Sequence, residues 1–187
     1  MRLFTAIDIP EELKMNLDKT VPKLPGWKKT GREQLHITVV FLGECTDDEK
    51  KEISHFLKRI LFECFELTVD RLGVFPNQED PRILWAGIGK SKAIMELQSK
   101  ISEILGGYGT GNEHHTYIPH ITVARRKGGV GRDQNVDGLI EKNSLKASFW
   151  VDRFLLKRSV LSTEGSNHEI LEEFAATGSE DLNHKPS

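Results

Sequence analysis

The sequence predicts an α+β protein built on antiparallel sheets. Three observations carry this. Segments of period two and of period 3.6 follow one another in the order strand, helix, strand, helix, strands, helix, strand, strands. The strand candidates are short and are bounded by Gly, Pro, Asn and Asp. The tetrapeptide His-Ile-Thr-Val occurs twice, at 36–39 and at 120–123, each time inside a strand candidate. Two lobes of similar build, each contributing one such strand, would account for the spacing of 84 residues.

"LFTAIDI" is β-rich and partly alternating, and Pro10 ends it. Pro10 then suits the first position of a helix with Glu11 and Glu12 in its first turn and Leu13 and Leu17 on one face. Residues 21–31 are turn-rich and basic, and 34–42 form the next strand. Thr46 caps a second helix, whose apolar positions Ile53, Phe56, Leu57, Ile60 and Leu61 have helical spacing. "FELTVDRLGVF" and "RILWAGIG" are strands around the turn "PNQEDP". Residues 91–105 give a third helix, with Ile94, Leu97, Ile101 and Leu105 on one face. A glycine-rich loop, the strand "HITVAR", a loop "KGGVGRDQN" and a closing pair of strands at 147–161 and 168–176 complete one domain over 1–176. Residues 177–187 read as a polar, acidic, mobile tail.

At 187 residues, 37% apolar and 29% charged, the chain is long enough for one sizeable core. The net charge of −2 divides into −5 over 164–187 and +3 before it, so nothing suggests a grip on a long duplex. Cys45 and Cys64 have neither metal nor redox spacing. No apolar run approaches a membrane span and the N-terminus does not read as a signal peptide. A cytoplasmic protein without membrane contact is expected.

In a strand, side chains at i and i+2 share a face. His36 and Thr38 therefore point one way, as do His120 and Thr122, while Ile37, Val39, Ile121 and Val123 point the other way into an apolar layer. An imidazole titrates near neutrality and can give or take a proton, and a hydroxyl can donate to an anionic oxygen. Two such strands facing one cleft suit in-line displacement at phosphorus without a metal. A lone His-x-Thr would mean little, since Thr and Ile simply favour strands. His114, His115 and His120 lie near Glu113 but lack a zinc-site spacing. His55, His168 and His184 are expected at the surface.

At these residues the chain resembles the two-histidine phosphoesterases, in particular the RNA 2′,3′-cyclic phosphodiesterases once called 2′-5′ RNA ligases (LigT-like). "RLFTAIDIPEELK", "QLHITVVFLGE", "PRILWAGIG" and "PHITVARRK" carry the resemblance across residues 2–127. It implies two pseudo-symmetric antiparallel lobes with outer helices and a central cleft. It implies hydrolysis of an RNA 2′,3′-cyclic phosphate end to a 2′-phosphate, with His36 as general acid, His120 as general base, and Thr38, Thr122 and Arg125 on the phosphate. Phe41 falls on an aromatic position and would stack on a base. No cofactor or metal is implied; the partner is such an RNA end or a cyclic nucleotide, not DNA, and a monomer is expected. 2′-5′ ligation, hydrolysis of a small cyclic nucleotide, and a non-catalytic RNA-end-binding module are the rivals. One tension stands: Phe41 and Arg125 each lie five residues after their histidine, and strict alternation would turn both away from the imidazoles.

Overall fold

A computed structural model describes residues 1–108, 116–162 and 165–177. Within them the strands are β1 (Arg2–Asp8), β2 (Trp27–Lys29), β3 (His36–Glu44), β4 (Phe65–Phe75), β5 (Ile83–Ile88), β6 (His120–Arg126), β7 (Ala147–Val151), β8 (Arg153–Ser162) and β9 (Gly165–Ala175). The helices are α1 (Glu11–Thr20), α2 (Asp47–Leu57), α3 (Lys92–Ile104) and α4 (Gln134–Glu141). The mixed, antiparallel architecture agrees with the α+β expectation.

The strands form one sheet in the order β7-β4-β5-β6-β3-β1-β8-β9, with β2 beside β6. All the named strand pairs are antiparallel. The order is symmetric about its middle, so the halves β7-β4-β5-β6 and β9-β8-β1-β3 correspond strand for strand. They meet at a single residue pair, Ile37↔Ile121. The local two-fold of an antiparallel pair placed there carries 36 onto 120 and 38 onto 122.

One face of the sheet is apolar. Ile37, Ile121, Ile7, Leu84 and Ala86 are fully or almost fully buried there. They share one core with Leu13 and Leu17 of α1, Ile53 and Leu57 of α2, Ile94, Leu97 and Ile101 of α3, and Val136 of α4. Burying a Leu or Ile side chain contributes about 1.5–3 kcal/mol. The helices therefore take this face and leave the opposite face to the cleft.

Helix α2 begins with the expected Thr46 cap, in a full capping box with Glu49. It stops at Leu57, short of the sequence pattern, and Leu61 is exposed. Helix α4 overlaps the expected loop 127–135 only at Gln134 and Asn135. Asp133 caps it by accepting the N–H groups of Asn135 and Val136 at 3.1 and 3.3 Å, and Val136 is buried. Thr177 donates both its N–H and its hydroxyl to the Phe62 carbonyl, so the fold reaches that residue. The rest of the acidic tail, 178–187, lies outside the described residues. Among the described residues, no helix is long and apolar enough to cross a membrane.

Candidate active site

The Ile37↔Ile121 pair sets His36 across from Thr122 and Thr38 across from His120. All four side chains point to the cleft face, because their neighbours Ile37 and Ile121 point to the core. Tyr117 adds a second tie over this seam, its hydroxyl donating to the Thr38 carbonyl at 3.0 Å.

Each imidazole is held by the carbonyl two residues before it. His36 Nδ1 lies 2.6 Å from the Gln34 carbonyl, and His120 Nδ1 lies 2.7 Å from that of Ile118. A carbonyl only accepts, so Nδ1 carries the proton and Nε2 is left to the cleft. His36 Nε2 is 3.1 Å from the Thr38 hydroxyl. When neutral, each ring offers a lone pair at Nε2; when protonated, the same atom becomes the acid.

Desolvation drives His36 down from its ordinary value of 6.5 to about 4, with the Gln34 carbonyl opposing and with Lys157, and His168 when it is protonated, pushing the same way as burial. Desolvation also lowers His120, helped by Arg125. In the free protein both rings therefore favour the neutral form at pH 7.

The tension over Phe41 and Arg125 is resolved by two β-bulges. In the β1–β3 ladder Ala6 faces Thr38 but Thr5 faces Val40, so Val39 is an extra residue. In the β5–β6 ladder Trp85 faces Thr122 but Leu84 faces Ala124, so Val123 is extra. One extra residue reverses the alternation that follows it. Phe41 and Arg125 thus return to the face of the imidazoles, five residues on. Phe41 is 62% exposed there, which removes it from the core, and its ring lies 6.2 Å from that of Phe4. Arg125 is exposed on the same face as Thr122. Lys28 of β2 pairs with Arg125 across the strands, which brings part of the basic 21–31 segment to the cleft.

Several residues of the site were not picked out from the sequence. His168, expected at the surface, lies edge-on to His36 with ring centroids 4.9 Å apart, and to Phe4 at 5.0 Å. Its Nδ1 is buried without a hydrogen-bond partner. The adjacent Asn167 accepts from Gln34, which brings the start of β9 to the residues just before β3. Asp8 faces His36 across the ladder and accepts from Lys157 at 2.6 Å, although Lys157 is only 3% exposed. On the other side, His120 lies against Phe75 at 5.0 Å and Trp85 at 6.3 Å. No sequence pattern links 157 or 168 to 36; only a charged residue within the apolar run "FLLKRSV" gave a sign.

Among the described residues, no three His, Cys, Asp or Glu side chains come together as metal ligands. His114, His115 and Glu113 lie outside the described residues.

Residues 11–160 match the 2′-5′ RNA ligase superfamily. The chain belongs to that superfamily. A Methanocaldococcus jannaschii protein named RNA 2′,3′-cyclic phosphodiesterase is 32% identical over 178 residues, covering 93% of this chain and 100% of that one. A Thermus thermophilus protein of the same name is 32% identical, covering 95% and 91%. Among solved structures, TT0787 of Thermus thermophilus superposes with a TM-score of 0.76 at 29% identity, covering 95% of this chain and 99% of that one. Escherichia coli LigT complexed with 3′-AMP superposes with a TM-score of 0.74 at 24% identity over 94% and 98%, a likeness of fold.

Proposed function

We propose that this protein opens RNA 2′,3′-cyclic phosphate ends to 2′-phosphates. The observation that carries the reading is the pair of Nε2 atoms from His36 and His120, presented across the Ile37↔Ile121 seam with a threonine beside each. The names of the superfamily relatives support the substrate. The phosphate sits between the imidazoles, with the Thr38 and Thr122 hydroxyls and the Arg125 guanidinium on its non-bridging oxygens. His120, neutral, takes a proton from water as that water attacks phosphorus. The P–O3′ bond breaks opposite, and His36 gives its proton to the departing 3′-oxygen. For His36 this role requires the bound anion to raise its proton affinity, since burial keeps the free ring neutral. Phe41 stacks on the terminal base. The protein acts as a monomer in the cytoplasm, on RNA ends rather than DNA, because a deoxyribose end cannot form the cyclic phosphate.

Incubation of a cyclic-phosphate-ended RNA with the protein, followed by end analysis, tests this. The expected product is a 2′-phosphate, formed equally well after dialysis against EDTA. A 3′-phosphate product, an unchanged end, or activity that needs an added divalent ion would refute the reading.

A further inference from the structure

His120 faces Gly87 across the β5–β6 ladder, and Gly87 faces Arg71 across the β4–β5 ladder. Arg71 therefore rises from the cleft face two strands from His120, roughly 10 Å away by strand spacing. Gly87 has no side chain, and the arginine stem uses that space. A Cβ on Gly87 would come within 2.9 Å of both Cγ and Nε of Arg71, and within 2.7 Å of the Trp85 ring. The arginine thus leans over the glycine towards His120, beside the indole edge. Its guanidinium is half exposed and pairs with Asp70 at 2.8 Å.

Arg71 also lines a groove of about 500 Å³ together with Lys90, Lys92, Met95, Tyr117 and Ile118. The groove adjoins the site through Ile118, which lines it and whose carbonyl holds His120 Nδ1. Its rim carries three cations against two carboxylates, Asp70 on Arg71 and Glu96 on Lys92. Its floor offers apolar surface from Met95 and Ile118, each over a third exposed. Cations beside partly apolar side chains suit a nucleotide, with its phosphate on the cations and its base on the apolar surface.

We propose that this groove takes the nucleotide next to the cyclic-phosphate end, with Arg71 on the phosphodiester that joins the two. The proposal rests on the phosphodiesterase reading above. It makes Arg71 a specificity residue, which tells an RNA terminus from a free mononucleotide.

The test compares a nucleoside 2′,3′-cyclic phosphate with a dinucleotide bearing the same terminus. The dinucleotide has a second phosphate and the mononucleotide does not. Wild-type protein should prefer the dinucleotide in kcat/KM, mainly through KM. Arg71→Ala should reduce that preference roughly tenfold or more, as expected for loss of a charge-assisted phosphate contact. Arg71→Lys should retain part of it, and Lys90→Ala should weaken it less. A preference unchanged in Arg71→Ala, or absent from the wild type, overturns the groove assignment and leaves the phosphodiesterase reading in place. Failure of the wild-type protein to open either substrate overturns both.

Discussion

The two halves of the sheet carry the same tetrapeptide in the same bulged strand, yet they surround it differently. Across the ladder from His36 stands Asp8, tied to the buried Lys157; across from His120 stands Gly87. His36 has Phe4 and a further imidazole, His168, against it. His120 has Phe75 and Trp85, and Arg71 leans towards it over the glycine. The backbone symmetry delivers two equivalent Nε2 atoms. The asymmetry of what lies beside them separates their proton affinities, and the larger displacement belongs to His36. In the free protein this difference favours His36 as the neutral ring, so the acid role proposed for it depends on the bound anion, and the placing of the water and the leaving oxygen divides the two roles.

The largest expected effects come from removing either ring. His36→Ala and His120→Ala should each lower kcat by about 10²–10⁴, and the double variant should fall well short of the product of the two losses. A substrate whose 3′-oxygen is replaced by sulfur separates the roles, since a thiolate leaves without a proton. Steady-state rates on it should recover for His36→Ala and not for His120→Ala. The opposite pattern would exchange acid and base between the halves.

Stability should report the His36 environment directly. Its folded value of about 4 lies below the ordinary 6.5, so between those values the unfolded chain binds more protons. The stabilisation from keeping the ring neutral is fully present above pH 6.5 and is lost as pH falls towards 4. It amounts to roughly 3 kcal/mol at most. Urea melts at pH 7 and pH 4.5 should differ less for His36→Gln than for the wild type. An identical difference would mean that other groups set the acid sensitivity.

The threonines should be alike where the histidines differ. Thr38→Ala and Thr122→Ala should each reduce kcat/KM about tenfold to 150-fold, the range of a charge-assisted hydrogen bond of about 1.5–3 kcal/mol. A large inequality between them would place the phosphate closer to one half.

The smallest effect should come from making the surroundings more alike. His168→Phe keeps an aromatic ring against His36 and removes a group whose charge, when it is protonated, opposes protonation of His36. The His36 titration, followed by NMR, should move up. Only a modest rise is expected, since desolvation is the leading cause of the depression. No movement would show that burial alone sets it.

Much of this protein is local in origin and was therefore legible in the sequence. Period two alone puts His36 with Thr38 and His120 with Thr122, because successive side chains of a strand alternate whatever lies beside it. The Thr46 cap and the apolar stripes of α1, α2 and α3 are likewise written within a few residues each. The tertiary structure decided what depends on a partner strand. Whether Val39 and Val123 bulge is set by the registers of β1 and β5, and on those bulges hangs the side to which Phe41 and Arg125 turn. The meeting of the two motifs at Ile37↔Ile121 joins residues 84 apart, and the placing of His168 against His36 joins residues 132 apart. Neither leaves a pattern in the chain, because a pairing between distant strands is specified by the whole buried face and not by the residues that end up side by side.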